Sequence, residues 1–135
     1  MTQIQKQTKE SIRRVIPKRH ARAAGIEPYF IQLFGRIYWR RLERVLQLTN
    51  NELPEQAGHV ADFGCGFGVL VALLGKTHEA GVIGIDAQPT GALKVAEDVC
   101  EVLSSRKSCS FLRGDISHLA FQTDVFQACF CLDVL

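Results

Sequence analysis

The segment Val60-Ala61-Asp62-Phe63-Gly64-Cys65-Gly66-Phe67-Gly68 puts an acid two residues ahead of three glycines at alternate positions. Glycine carries no Cβ, so Gly64, Gly66 and Gly68 let the backbone turn tightly and let a ligand lie directly against it. The apolar residues from Val69 onward predict a helix whose first N–H groups face the same ligand. A second apolar stretch, Gly81 to Ile85, ends in Asp86, 18 residues past Gly68. A carboxylate there can accept hydrogen bonds from two neighbouring hydroxyls, the chemistry of a ribose clamp. A third stretch closes with Gly114-Asp115-Ile116. Asp115 can accept from an exocyclic amine, and Ile116 offers an apolar face to a flat ring. Three strand ends thus supply groups for an amino-acid moiety, a ribose and an adenine.

Each residue also has a plainer reading. Asp86 precedes Pro89-Thr90 and could cap a helix. Asp115 follows a glycine, which is common turn chemistry. Asp133 faces an acceptor or merely ends a strand. Cys65 reads as a small filler between glycines and not as a nucleophile.

The elements that must position these groups follow from apolar periodicity. Residues 1–25 read as a loosely helical basic arm broken by Pro17 and Gly25. Pro28 suits the first turn of a stronger helix, along which Phe30, Leu33, Phe34, Ile37, Tyr38, Leu42, Val45 and Leu46 share one face. Tyr29, Phe30, Tyr38 and Trp39 read as core, with a lid over the ligand as the alternative. Thr49 to Gly58 is expected as a connector. Strands are expected at Val60–Phe63, Gly81–Ile85, Cys109–Leu112 and Val125–Cys131, with helices from Val69 to about His78 and from Pro89-Thr90 through Val102. Strands alternating with helices of this length indicate βαβ units and a parallel sheet. The domain reading is an N-terminal helical arm and connector over 1–58, then a ligand-binding half over 59–135.

Asp62 through Gly68, then Gly84-Ile85-Asp86, then Gly114-Asp115-Ile116, then Cys131-Leu132-Asp133-Val134-Leu135 resemble, in order and spacing, the successive motifs of class I S-adenosylmethionine-dependent methyltransferases. The resemblance covers residues 59–135. It implies an α/β, Rossmann-like three-layer parallel sheet, here partial with strand order 3-2-1-4, preceded by N-terminal helices. It implies S-adenosyl-L-methionine as cofactor. Gly64, Cys65, Gly66 and Gly68 would lie against its methionine part, with Asp62 organising the amino end. Asp86 would hold the ribose, with Ala87 and Gln88 close by. Asp115 and Ile116 would flank the adenine, and Leu132 would close the site near the sulfonium. The implied reaction passes a methyl group to O, N or C of an acceptor, and no general base can be named. The ending Leu132-Asp133-Val134-Leu135 is similar to small-molecule enzymes and lacks the Asn/Asp-Pro-Pro-aromatic signature of those acting on nucleobase amines. A metabolite acceptor is therefore expected over nucleic acid.

Two other readings compete. A nicotinamide or flavin dinucleotide site would want G-x-G-x-x-G, yet the third glycine comes one residue early and Val69 stands where the last should be. An acid at Asp62 also suits an ammonium group better than a pyrophosphate. The second reading is a cofactor-binding fragment or pseudoenzyme without turnover, because the expected sheet stops at its fourth strand, before the loops that would choose an acceptor.

Composition narrows the remaining classes. A chain of 135 residues with 47% hydrophobic and 22% charged residues suits one ordinary globular domain. The longest apolar stretch, Phe63 to Gly75, has 13 residues and four glycines, short of the roughly 20 that a membrane span needs. No basic start followed by an apolar run marks a secretory signal, and a cytoplasmic location is expected, with a transit peptide as the alternative reading of the Arg-rich, acid-poor N-terminus. The five cysteines, Cys65, Cys100, Cys109, Cys129 and Cys131, include no CxxC pair; they read as buried free thiols, with no metal site. His20, His59, His78 and His118 also lack metal-ligand spacing. The net charge of +2 divides unevenly: residues 1–44 hold 11 Lys/Arg and 3 Glu (+8), and residues 45–135 hold 5 Lys/Arg and 11 Asp/Glu (−6). The basic part reads as a solvated face, since no aromatic–basic interleaving supports nucleic acid.

Overall fold

The computed structural model describes Lys6, Glu10, Ser11 and Arg14, all helical, and residues 36–132 except 55, 57, 79, 88, 89, 104 and 105; side chains at 36–38 and 90–92 are not described. Helix α1 spans Arg36–Glu52, strand β1 His59–Phe63, helix α2 Val69–Thr77, strand β2 Gly81–Asp86, helix α3 Thr90–Val102, strand β3 Cys109–Arg113 and strand β4 Ala128–Cys131. The four strands form one sheet in the order β3-β2-β1-β4, and every pairing is parallel. This is the parallel α/β sheet that the strand and helix alternation predicts, in the Rossmann-like order that the resemblance implies.

The register sorts side chains into rows. Val60 lies level with Val82 and Ala128, and Val82 with Cys109. This row belongs to the buried core shared with Trp39 and Leu42 of α1, Val69 to Leu74 of α2, and Leu93, Val95, Val99 and Cys100 of α3. Because side chains alternate across a strand, Asp62, Gly84, Phe111 and Phe130 face the helices as well, two residues further along. Helices α1, α2 and α3 therefore all pack on one face. The opposite face carries the irregular 114–127 link, whose Phe126 ring stands edge-on to Phe63 at 6.2 Å and to Phe121 at 4.9 Å.

Three expectations are corrected. Helix α1 runs on to Glu52, through the segment expected as connector. Thr49 is buried there and donates its hydroxyl to the Val45 carbonyl at 2.7 Å, and the helix stops just ahead of Pro54, which disfavours helical backbone at the residue before it. Strand β4 begins at Ala128 and not at Val125. Asp124 turns the chain at φ 61°, and Phe126 is spent capping the far face of the sheet; the chain joins β1 only where Gln127 N–H reaches His59 O at 2.8 Å. Cys129 and Cys131 share a strand face as expected, but that face is exposed; Cys65, Cys100 and Cys109 are the buried thiols. The apolar run hid this because burial on both faces of a strand depends on what covers it. Trp39 is core, as read. His20, Tyr29, Phe30 and Asp133 lie outside the described residues.

Candidate functional site

The turn after β1 is built from three left-handed glycines, Gly64 at φ 74°, Gly66 at φ 54° and Gly68 at φ 68°. Side-chain-bearing residues rarely adopt this region. The turn is anchored to the tip of β2 through the Ile85 carbonyl, which accepts from Gly64 N–H at 2.7 Å and Cys65 N–H at 3.2 Å. Gly66 N–H donates to Asp86 Oδ2 at 2.8 Å. Gly68 N–H closes the turn on the Cys65 carbonyl at 2.9 Å, and the Gly68 carbonyl accepts from Ala72 at 2.9 Å as the first bond of α2.

The three glycines answer to different needs. A Cβ at Gly68 would stand 2.7 Å from Ala96 Cβ and 2.8 Å from the Phe111 ring, so that glycine lets the turn pack against α3 and β3. A Cβ at Gly66 would meet nothing within 4 Å; its backbone faces open space, as a surface waiting for a ligand would. Gly84 is a further residue of the site, one that the sequence reading does not single out by itself. A Cβ there would lie 2.7 Å from Phe111 and 2.9 Å from Cys65 Sγ, so Gly84 makes room for the thiol and ring beneath the turn. The signal was its place within Gly84-Ile85-Asp86, one strand from Asp62.

The electrostatics are dominated by two buried carboxylates. Asp62 is 4% exposed, and its carboxyl is raised to about 7, first by burial and then by the like charge of Asp86. The Cys65 thiol is pushed up to about 12 by burial, with Asp62 and Asp86 adding to it, so it is a neutral filler. That Asp62 and Asp86 act on each other was not legible from their separation in sequence; it follows from Asp62 lying level with Gly84, two residues before Asp86 on the adjacent strand.

The third strand tip is joined to the second by Gly114 N–H donating to Asp86 O at 3.0 Å. Asp115 is exposed and in an Asx turn. Its Oδ1 accepts from Ser117 N–H at 2.9 Å and from Ser117 Oγ at 2.6 Å, and these bonds hold its carboxyl below the usual range. The turn reading of Asp115 is thus present, and Oδ2 lies 3.5 Å from His118 Nδ1. Ile116 is exposed. Ala87 is exposed, and Leu132 is half-buried against the core at the end of β4. Gln88 lies outside the described residues. Among the described residues no group of three or more His, Cys, Asp and Glu is placed to hold a metal, and no helix is long and apolar enough to cross a membrane.

A parallel sheet of order 3-2-1-4 that runs from its first strand through a glycine turn into a helix, with an acid at the neighbouring strand tip, defines a Rossmann-like ligand-binding domain. The chain belongs to the methyltransferase domain family, whose profile matches residues 60–135. No curated relative matches. Among solved structures, the fold is similar to a methyltransferase of Geobacter sulfurreducens in complex with S-adenosyl-L-homocysteine (TM-score 0.59, 23% identity, 68% of this chain and 36% of that one). It is also similar to magnesium protoporphyrin IX methyltransferase of Synechocystis PCC 6803 with the same ligand bound (0.60, 25%, 70% and 42%). A third is an RNA methyltransferase of Salinibacter ruber, again with that ligand (0.51, 25%, 59% and 50%). The chain spans at most half the length of these three structures.

Proposed function

We propose that the chain binds S-adenosyl-L-methionine on the turn Gly64–Gly68 as part of a methyltransferase that transfers the sulfonium methyl to O, N or C of an acceptor. The observation that carries this is the open backbone at Gly66 set against buried Asp62 and Asp86, a surface shaped for a ligand with a cationic head and a diol. The structures of the family that resemble it hold S-adenosylhomocysteine, which supports the same cofactor here. When bound, the cofactor supplies an already activated methyl group, so the protein's task is positioning more than covalent catalysis. Asp62 faces the amino end. Asp86 receives the ribose hydroxyls while holding the turn in place, and Ala87 and Gln88 flank it. Asp115 and Ile116 border the adenine, and Leu132 closes the sulfonium side.

The acceptor is proposed to be a small molecule, on the ending Leu132-Asp133-Val134-Leu135; similar structures include both a porphyrin and an RNA methyltransferase. The working division is an arm over 1–58 and a cofactor-binding unit over 59–135. A cytoplasmic location is supported by five free thiols. Calorimetry with S-adenosylhomocysteine tests the cofactor, and a transfer assay on the intact protein tests turnover. Binding without transfer supports a pseudoenzyme, and absence of binding in a folded sample overturns the proposal.

A further inference from the structure

Strand β4 lies at the edge of the described sheet, with β1 as its paired neighbour. Gln127 N–H reaches His59 O, so by the alternation of a strand Cys129 and Cys131 also turn their backbone groups towards β1. Ala128 and Phe130 turn theirs outward, an open template for a further strand. A groove of about 310 Å³ runs between α1 and this edge, lined by apolar Val45, Leu48, Leu53 and Phe130 and by Glu52.

The outer side of α1 carries a matching pattern. Arg44, Leu48 and Glu52 recur every four residues and form one stripe along the helix. All three are exposed, Leu48 at 48%. The stripe is its own complement when reversed: about an axis through Leu48, the arginine meets the glutamate and the leucine meets itself. It therefore suits an antiparallel copy, whereas a parallel one would set like charges together. Leu48 lines the groove with Cys129 and Phe130, so the middle of the stripe and the middle of the open edge lie at the same place.

We infer that this edge is a self-association surface, on which a second copy of the chain pairs its β4 antiparallel to β4 about one two-fold axis perpendicular to the sheet. An axis beside Cys129 sets Ala128 opposite the partner's Phe130, and Phe130 opposite the partner's Ala128, with their outward N–H and C=O groups bonded in both directions. The same axis brings Arg44 against the partner's Glu52, twice by symmetry, and seats the two Leu48 side chains over the joined strands. Both contacts are self-complementary, so association stops at two chains. Cys129 then stands opposite the partner's Cys129 at a non-hydrogen-bonded position, where Cα atoms are about 4.5 Å apart. That separation suits a disulfide, while the two Cys131 residues lie about 13 Å apart along the strands. The pairing uses no residue of the cofactor site and stands whether or not a cofactor binds.

The test is sedimentation equilibrium on the full chain. The expected species is a dimer of two 15.0 kDa chains. Arg44→Glu and Glu52→Arg should each weaken dimerisation about tenfold or more by setting like charges face to face, and the double variant R44E/E52R should restore it. Leu48→Asp should give monomers. Diamide, which takes up the two electrons and two protons released as two thiols join, should link the copies through Cys129. Cys131→Ser should still be linked, and Cys129→Ser should not. A parent chain that stays monomeric, or that grows into open-ended aggregates, overturns the inference. So do single charge variants that leave the dimer unchanged, a double variant that stays dissociated, and cross-links that pass through Cys131. The three α1 positions are exposed, so the exchanges leave the core untouched, and the cross-link is read on the parent chain without any α1 variant.

Discussion

The Gly66 N–H donates to Asp86 Oδ2 at 2.8 Å, so one carboxylate both ends the second strand and holds the glycine turn that follows the first. Asp86→Ala removes this acceptor and the partner proposed for the ribose hydroxyls. Cofactor affinity should fall by about 1–3 kcal/mol, the scale for polar groups left unmatched. Titration calorimetry with S-adenosylhomocysteine checks this, and unchanged affinity would remove Asp86 from the site.

Gly66 and Gly68 should separate ligand binding from folding. Gly66→Ala places its methyl in open space, so only the left-handed backbone resists it, at about 1–2 kcal/mol. The methyl would occupy the surface proposed for the ligand, and affinity should drop at least tenfold. Gly68→Ala meets the same backbone cost and also overlaps Ala96 and Phe111. It should destabilise the fold by about 2–5 kcal/mol in urea denaturation, adding the scale of overpacking to that of strain.

Asp62 should make ligand-free stability fall as pH rises. Its folded value of about 7 lies above its unfolded value of 3.8. The contribution is therefore fully present below about pH 4 and lost progressively as pH climbs to about 7. Asp62→Asn, which holds no charge to bury, should be more stable than the parent at pH 8 by a few kcal/mol and nearly equal at low pH. Denaturant midpoints measured at both ends of this range check the sign, and a variant less stable at pH 8 would contradict it.

Thiol labelling should divide the cysteines by strand face. Cys129 and Cys131 are exposed, whereas Cys65, Cys100 and Cys109 are buried, and the Cys65 thiol is pushed up to about 12. Alkylation of the native protein at pH 8 should modify Cys129 and Cys131 first, with the other three reacting after denaturation. Peptide mass spectrometry reads the order. Early modification of Cys65 would show that the turn opens.

Much of the candidate site was legible because its residues sit where local rules act. Glycines at alternate positions after an apolar strand demand a tight turn, and Asp86 falls at a strand end whichever way the sheet is assembled. The limits of β2 and α3 follow in the same way from apolar runs bounded by Gly81 and by Pro89-Thr90. What covers a strand is not local. The run Val125 to Cys131 is apolar but for Gln127, yet its first half folds back as Phe126 against Phe63 and its second half leaves two cysteines in solvent.

The sequence by itself determined the turn, the acids at the strand tips and the alternation that makes a parallel sheet, since each depends on residues near in the chain. Only the tertiary structure decided that Asp62 and Asp86 are buried side by side, that Gly84 clears space for Cys65, and that helices α1, α2 and α3 cover a single face. Those facts depend on which strands become neighbours and in what register, and the distance between two charges is set by that pairing and not by their separation along the chain.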